Sequence, residues 1–353
     1  MPEKKQTALL PFAPIILSTC GSMEHLIFTD LSDERLQPLS PEVVHKLNAD
    51  QGYEDISYFY ERETNTAYVA CESGRLEVNP SASYLFSDFA HLKDIEGLER
   101  LDMSQVTDMR GLFDGCESLE SLDLSSWDVS HACNIGQMFR DCISLTELNI
   151  SGWDTGSVFS MRSLFSDCAK LTKIKGIENL DTSCVQDMGY LFNGCRSLDG
   201  LDISKWDTSR VSDMRDMFND CYALTGLDLS SWETSHVADM CRMFRNCQSL
   251  TDVSFLSWWN TESVTDMSRM FSGCETLEEI RLPGFDTSRV SKMNGMFSWC
   301  SALKTVDLSA ASTALSPQMK DIFQCCDSVN LTGKALTGLT RASQSRPGIP
   351  SDV

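Results

Sequence analysis

Hydrophobic and polar positions along most of the chain follow one pattern, which repeats every 26 or 27 residues. Its consensus is L-x-x-L-D-L-S-x-W-D-T-S-x-V-x-D-M-x-x-M-F-x-x-C, where x is a variable residue. Such a fixed period is typical of repeat architectures, in which each unit stacks on the next. The phenylalanine and the cysteine recur together nine times, as Phe113 and Cys116, Phe139 and Cys142, Phe165 and Cys168, Phe192 and Cys195, Phe218 and Cys221, Phe244 and Cys247, Phe271 and Cys274, Phe297 and Cys300, and Phe323 and Cys326.

Each unit has two halves with different hydrophobic periods. In the unit that begins at Leu198, Leu201 and Ile203 flank Asp202, and this alternation predicts a short strand. The second half carries apolar residues at spacings of three and four, which share one face of a helix. In this unit they are Val211, Met214, Met217, Phe218 and Cys221.

The residue before each cysteine predicts where the helix ends. Glycine, aspartate or asparagine usually stands there, and these residue types tolerate the left-handed conformation that ends a helix. Trp299 and Cys325 occupy this position in the last two units. We therefore expect those two units to end differently.

One strand and one short helix cannot bury both of their apolar faces alone, but stacked copies can. The pattern therefore predicts an α/β leucine-rich-repeat-like solenoid over residues 80–333, with about nine turns of 26–27 residues, each a strand plus a short helix. Residues 21–79 are expected to form a small N-terminal cap with a β-hairpin, built from residues 56–60 and 67–70. Residues 334–353 are polar and predict a disordered tail.

The repeated unit, continued as C-x-S-L, closely resembles that of the BspA-like leucine-rich-repeat surface proteins, a bacterial and mycoplasmal family of unknown function. The match runs from about Pro80 to Leu331 and includes an entry segment at residues 84–86 and 97–102. The resemblance implies an α/β leucine-rich-repeat solenoid that is exported, displayed on the cell surface and used for adhesion or protein binding. It implies no enzymatic activity, because the family members share none.

The chain is strongly acidic, with 51 acidic against 29 basic side chains and a formal net charge of -22. Such a surface repels phosphate backbones and anionic headgroups, so nucleic acid is not the expected partner. It favours a basic protein partner. The alternative interpretation is that the acids only keep the protein soluble.

Two columns of chemically interesting side chains are expected to lie in the core. Nine of the 15 cysteines share the apolar face of the repeat, which favours buried, reduced thiols over disulfides. The tryptophan position accepts leucine and phenylalanine, so apolar volume is what matters there. Its occupants are Trp127, Trp153, Leu180, Trp206, Trp232, Trp259 and Phe285.

No motif for catalysis or for a cofactor stands out. Paired C-x-x-C knuckles, a nucleophile elbow, a Walker loop and a dinucleotide fingerprint are all absent from the sequence. We therefore expect no enzyme, no cofactor and no metal site.

The candidate binding residues form one outward-facing column between the two apolar strand positions, where repeat proteins of this kind usually bind. Aspartate dominates this column, and two basic residues interrupt it. Two interpretations stay open, a binding surface and a solvated acidic stripe. The candidate residues are Asp102, Asp123, Asn149, Lys175, Asp202, Asp228, Arg281 and Asp307.

The N-terminus leaves localisation open. Lys4 and Lys5 precede an apolar run at residues 8–17, and Cys20 follows, which resembles a lipoprotein signal peptide over residues 1–20 with Cys20 as the acylated residue. That interpretation places the protein on the cell surface or outside the cell, with a lipid anchor as its only membrane attachment. The alternative is that the run forms a buried strand or an irregular N-terminal segment. The protein would then be a cytoplasmic or injected one that binds a cytosolic partner. The many free thiols favour the alternative, and the sequence leaves the oligomeric state undetermined.

Overall fold

The computed structural model of the chain describes residues 22–39, 56–309, 318–326 and 329–332, together with the backbone of Ala8–Leu9. The chain forms two compact units, Met1–Asp181 and Thr182–Val353. In both, the described residues form short strands and tight turns. Four short 3-10 helices are found among them, at Glu34–Leu36, Leu98–Arg100, Ile177–Asn179 and Ser254–Trp258.

The strands of the first unit belong to three sheets. Within the described residues they are β1 (Ala8–Leu9), β2 (His25–Asp30), β3 (Ser57–Glu61), β4 (Thr66–Cys71), β5 (Leu76–Val78), β6 (Asp94–Glu96), β7 (Leu101–Asp102), β8 (Ser121–Asp123), β9 (Glu147–Asn149) and β10 (Lys173–Lys175). Strands β1, β5 and β7 form one parallel sheet in that order. A second sheet has the order β3-β4-β2-β6, and a third has the order β10-β9-β8.

The predicted N-terminal hairpin is confirmed, because β3 and β4 pair antiparallel with Tyr58 opposite Val69. Every residue of β4 is buried. This sheet packs on the first repeat, where the rings of Phe28 and Phe86 meet edge-on at 6.0 Å. The boundaries of the cap stay a prediction, and the predicted tail at residues 334–353 lies outside the described residues.

Strands β8, β9 and β10 show how successive repeats stack in the first unit. They pair parallel and in register, which places Leu122, Leu148 and Ile174 side by side. These three side chains are buried, while the strand residues on either side of them are exposed or half-buried. The alternation that predicts a strand is therefore confirmed in these repeats.

In the second unit the predicted strands are present only in part. Strands β11 (Glu279–Arg281), β12 (Thr305–Asp307) and β13 (Asn330–Thr332) form a parallel sheet. The strand predicted at residues 201–203 is absent, and so is its counterpart at residues 227–229.

A local reason for the missing strand lies just before it. Gly200 has a left-handed φ of 65°, which does not continue an extended strand. The carboxylate of Asp199 accepts the Thr225 amide at 3.0 Å. In the first unit the corresponding bond runs from the Thr146 amide to the backbone carbonyl of Glu120. In the second unit the Asp199 side chain thus accepts the amide hydrogen bond that a backbone carbonyl accepts between the strands of the first unit.

The short helices predicted in the second half of the repeats are wrong, because the described residues contain no α-helix. Two residues in each of these segments, four positions apart, have a left-handed φ. In the Cys221 repeat they are Asp216 and Asp220, at φ values of 53° and 60°. The first lies in the middle of the predicted helix, and a single left-handed residue there interrupts the right-handed conformation that a helix requires.

Hydrogen bonds to the next repeat replace those of a helix. The amides of Met214 and Phe218 donate to the carbonyls of Asp239 and Met243 at 3.0 and 2.8 Å. Between them, the amide of Met217 donates back to Met214 at 3.3 Å and closes a turn. Because alternate amides reach the following repeat, a single repeat cannot satisfy its own backbone.

The prediction that the last two repeats end differently is also wrong. Trp299 and Cys325 adopt φ values of 63° and 61°, as the glycines and aspartates at this position do. We call these stacked turns, with their hydrogen bonds from one repeat to the next, the turn ladder. The turn ladder imposes the left-handed conformation on residue types that do not favour it.

The core of each unit is a stack of aromatic rings. The phenylalanines of successive repeats lie nearly parallel, with ring centroids 5.7 Å apart for Phe113 and Phe139 and 5.4 Å apart for Phe218 and Phe244. Both pairs are 1% exposed or less. Burial of these rings supplies much of the hydrophobic stabilisation, since an aromatic side chain removes a large apolar area from water.

Candidate functional site

The structure brings three of the predicted binding residues together in the first unit. Asp123, Asn149 and Lys175 lie in register on neighbouring parallel strands of the β8–β10 sheet. Asp123 and Lys175 are exposed and Asn149 is half-buried. Asp102 lies on β7, which belongs to another sheet, and pairs with Arg75 at 2.9 Å.

A shallow groove of about 280 Å³ runs over this sheet. Lys173 and Glu147 approach each other across it at 3.6 Å. Its lining carries both signs of charge, so the strand face of the first unit is not uniformly acidic. The polar side chains that line it are Ser121, Asp123, Glu147, Asn149, Lys173 and Lys175.

In the second unit the predicted residues are less regularly arranged. Arg281 and Asp307 are in register on β11 and β12, and Arg281 also pairs with Glu279 at 2.8 Å. Asp202 and Asp228 are exposed but lie outside any strand. For these two residues the predicted strand geometry is wrong, although the predicted exposure is confirmed.

The aspartates of the column also have a local structural role that sequence reasoning missed. Asp123 accepts hydrogen bonds from the backbone amide of Ser125 at 3.0 Å and from its hydroxyl at 2.6 Å. Asp228 accepts the same two bonds from Ser230 at 3.1 and 2.6 Å. The D-x-S pattern of the repeat therefore closes a turn directly after the column position.

These hydrogen bonds favour the ionised form of the column aspartates. The hydroxyl and the amide of the following serine lower the pKa of Asp123, Asp202 and Asp228 below the ordinary value of an aspartate. Donors that bond to a carboxylate favour its charged form. Asn149 makes the same bonds to Ser151, at 3.1 and 2.7 Å, without a charge.

The cysteine column lies in the core, as predicted, and every described cysteine is a free thiol. The Cys221 thiol donates to the Phe192 carbonyl of the preceding repeat at 3.1 Å. Burial raises the pKa of the Cys221 thiol well above its ordinary value. Such a thiol is a poor nucleophile. The same bond is made by Cys116, Cys142, Cys168, Cys247, Cys274, Cys300 and Cys326.

The tryptophan column is also confirmed as core. Trp232 and Trp259 are each 2% exposed, and their rings stack at 6.5 Å. The indole N–H of Trp232 donates to the Ile203 carbonyl at 3.1 Å. Buried rings with a satisfied N–H cannot serve as a ligand platform.

Two further predictions meet the limits of the described residues. The candidate lipidation residue Cys20 lies outside them. Within the described ranges, no three His, Cys, Asp or Glu side chains form a group able to hold a metal ion. No helix in the same ranges is long and apolar enough to cross a membrane.

Sequence reasoning missed a second candidate surface, a groove of about 900 Å³ in the second unit. It lies in the turn-rich halves of four successive repeats, and its lining includes Arg245, Arg269, Trp299 and Lys320. The sequence carries only a weak indication of it, namely a tryptophan at a position that otherwise favours glycine, aspartate or asparagine.

Several solved structures resemble the chain at low similarity. A leucine-rich repeat protein from Bacteroides ovatus is 15% identical with a TM-score of 0.24, and the match covers 78% of this chain and 92% of that one. A leucine-rich-repeat protein from Leptospira interrogans is 11% identical with a TM-score of 0.25, covering 75% and 78%. The TLR13–ssRNA13 complex is 16% identical with a TM-score of 0.27, covering 70% of this chain and 40% of that chain. Superpositions of this quality do not establish a common overall fold.

The family model described as "Mycoplasma protein of unknown function, DUF285" matches residues 81–175, 160–258 and 251–337. No curated protein matches the chain. The three matched segments follow one another along the repeats and together span more than half of the sequence. The chain therefore belongs to the DUF285 family.

Proposed function

We propose that this protein is a non-enzymatic binding protein that engages a basic protein partner through the strand-side column, which is the set of outward-facing candidate binding residues in each compact unit. The observation that carries the proposal is the exposure of three aspartates at the same repeat position, each with a lowered pKa: Asp123 in the first unit, and Asp202 and Asp228, one repeat apart, in the second. The formal net charge of -22 acts in the same direction, since it attracts cationic surfaces and repels nucleic acid.

The turn after each aspartate makes the column suited to binding. Two hydrogen bonds from one serine hold the Asp228 carboxylate in a fixed position. A carboxylate that is already held loses little conformational freedom when a lysine or arginine of a partner pairs with it. A turn aspartate therefore serves both the fold and the partner.

A non-enzymatic role is supported by the chemistry of the cysteines. The column thiols, such as Cys247, are buried, and burial raises the pKa of Cys247 far above its ordinary value. A catalytic thiol needs the opposite, an accessible site and a lowered pKa.

Display on the bacterial surface, with a role in adhesion, is the second part of the proposal. Its support is the resemblance to the BspA-like surface proteins and the lipoprotein-like segment that ends at Cys20. The competing setting, a cytoplasmic or injected protein, is supported by the free thiols. Intact mass and fractionation of the native protein separate the two. A mature chain that starts at a diacylated Cys20 supports display, and an uncleaved chain in the soluble fraction contradicts it.

The binding proposal is tested by selecting displayed random peptides on the purified full chain. We expect the selected peptides to be rich in lysine and arginine. A variant carrying Asp123→Asn, Asp202→Asn and Asp228→Asn should bind them roughly tenfold more weakly, because ion pairs with these carboxylates are lost in both units. Asparagine keeps the turn, as Asn149 shows.

A matched control changes the net charge equally at another place. Asp128, Asp207 and Glu233 also accept the amide of a residue two positions on, at 3.1, 2.9 and 3.0 Å, and they lie outside the column. The control variant carries Asp128→Asn, Asp207→Asn and Glu233→Gln. Equal binding by both variants, or selected peptides without basic residues, would contradict the proposed surface.

A further inference from the structure

The groove in the second unit lies where two positions of the repeat change from a large to a small residue between one repeat and the next. The residue after the repeat phenylalanine is Arg245, then Ser272, then Ser298 in successive repeats. The first left-handed position is Arg269, then Gly295. The floor is polar and well ordered by hydrogen bonds, with the hydroxyls of Ser272 and Ser298 2.8 Å apart. Arg245 and Arg269 also line the groove.

The arginines of the groove are not neutralised as other arginines of the repeats are. Arg242, one repeat before Arg269 at the same position, makes a double hydrogen bond to Asp216. Arg269 is exposed and forms no ion pair with any residue in the described part of the chain. The Arg245 guanidinium donates to the amide oxygen of Asn219 at 3.3 Å, and it too has no ion pair with a carboxylate in the described part of the chain.

The lining also contains an exposed aromatic ring and a third cation. Trp299 is 58% exposed and has a φ of 63°, a conformation that L residues adopt only with strain. Because this ring is not packed in the core, core packing does not explain the strained tryptophan. Lys320 also lines the groove, with Asp321 4.0 Å from its ammonium group. The groove thus concentrates positive charge on a chain whose net charge is -22.

We propose that this groove binds an acidic oligosaccharide, a carbohydrate that carries a carboxylate. The guanidinium groups of Arg245 and Arg269 match a carboxylate, which accepts two parallel hydrogen bonds from arginine. The exposed face of Trp299 offers a platform for the C–H face of a sugar ring. Amide side chains that line the groove, those of Asn246, Asn294 and Gln324, both donate to and accept from hydroxyl groups.

Size and polarity favour a carbohydrate over a peptide. A volume of about 900 Å³ is large enough for a short oligosaccharide. Most of the side chains that line the groove are polar, and Trp299 and Met319 are its large apolar members. None of the residues that line the groove belongs to the strand-side column. Sugar binding in the groove can therefore be tested independently of the proposed protein-binding surface.

Isothermal titration calorimetry of the full chain with sialyllactose and with trigalacturonic acid tests the inference, with lactose as the neutral control. We expect saturable binding of at least one acidic sugar and at least roughly tenfold weaker binding of lactose, because the charge-assisted hydrogen bonds are missing. Arg269→Ala should weaken the binding by a similar factor. Binding should also change the tryptophan fluorescence, and Trp299→Phe should abolish that change.

Arg289→Ala is the matched control, because Arg289 is exposed in the next repeat and does not line the groove. Melting curves of both arginine variants establish that they fold. The inference is overturned if neither acidic sugar binds, or if Arg269→Ala and Arg289→Ala bind alike. It is also overturned if a glutamate-rich peptide of equal charge binds as tightly as the sugars.

Discussion

Arg242 and Asp216 form a double hydrogen bond across consecutive repeats of the second unit, with Nε–Oδ1 and Nη2–Oδ2 distances of 2.7 and 2.8 Å. Asp216 is only 2% exposed and has a left-handed backbone. A similar pair, Arg140 and Asp114, occurs in the first unit at 2.8 and 2.6 Å. A buried carboxylate in one repeat thus depends on an arginine of the next.

Removing the arginine of this pair should destabilise the protein. We expect Arg242→Ala to lower the free energy of unfolding by about 2 kcal/mol, because Asp216 would remain buried without its ionic partner. Arg269→Ala is the comparison, since it removes an arginine at the same repeat position with no carboxylate partner in the described chain. Its effect should stay within about 0.5 kcal/mol. Urea unfolding measures both, and equal losses would show that the ion pair is not responsible.

Replacing Trp299 should separate stability from ligand binding. Glycine adopts a φ of 63° without steric strain, so Trp299→Gly should leave stability unchanged or raise it by up to about 1 kcal/mol. The same variant should lose binding to the acidic sugar. Trp299→Asn should behave alike, because Asn246 occupies this position in another repeat. A large fall in the melting temperature of both variants would instead assign the ring a packing role.

Alkylation of the native protein should distinguish buried from exposed thiols. Cys325 is exposed, whereas Cys221 is 1% exposed and burial raises the pKa of its thiol. We expect iodoacetamide at neutral pH to modify Cys325 within the native state and to reach Cys221 only after unfolding, because the thiolate is the reactive form. Peptide mass spectrometry quantifies both sites. Equal alkylation rates under native conditions would contradict the buried column.

The turn aspartates should make the protein sensitive to acid. The pKa of Asp228 is lowered in the folded protein from an ordinary value of 3.8, mainly by the Ser230 hydroxyl. Its contribution to stability is therefore full above pH 3.8 and is lost as the pH falls through the lower folded value. Asp228→Asn keeps the turn without this titration. At neutral pH the wild type should be more stable than the variant, and this difference in stability should shrink on acidification. Melting temperatures of both proteins at neutral pH and below pH 3.8 measure the difference. If the stability difference between the wild type and the variant grew on acidification, the pKa of Asp228 would be raised in the folded protein rather than lowered.

Asp239 acts in the opposite direction. Burial raises its pKa above the ordinary value, so this group costs stability when it is ionised and costs less as the pH falls. Asp239→Asn should accordingly be more stable than the wild type at neutral pH, and this gain in stability should become smaller at acidic pH. The two aspartate variants therefore respond to acid with opposite signs.

Burial followed from the sequence because a repeated apolar position has the same environment in every copy. The columns of Phe218, Cys221 and Trp232 are all in the core, and the exposure of Asp123 and Asp228 is also as predicted. Periodicity reports which side of the backbone is apolar, and this holds whichever local conformation the backbone adopts. The hairpin of β3 and β4 was predictable for a related reason, since its alternation and its turn are both local.

Conformation did not follow from the same pattern. Spacings of three and four place side chains on one face of a helix, but a ladder of tight turns with left-handed residues produces the same face. The choice depends on bonds such as that from the Met214 amide to the Asp239 carbonyl, which exist only when the next repeat is in place. For the same reason, the left-handed backbone of Trp299 is not readable from its residue type.

By itself, the sequence determined the repeat, its register and the columns of phenylalanine, cysteine and tryptophan that enter the core. Only the tertiary structure decided that the second half of each repeat is a turn ladder and that residues 201–203 form no strand. It also decided that Arg245, Arg269 and Trp299 meet around one groove. The physical reason is that burial is set by each residue's own place in the period, whereas conformation and convergence depend on hydrogen bonds and side-chain volumes supplied by neighbouring repeats.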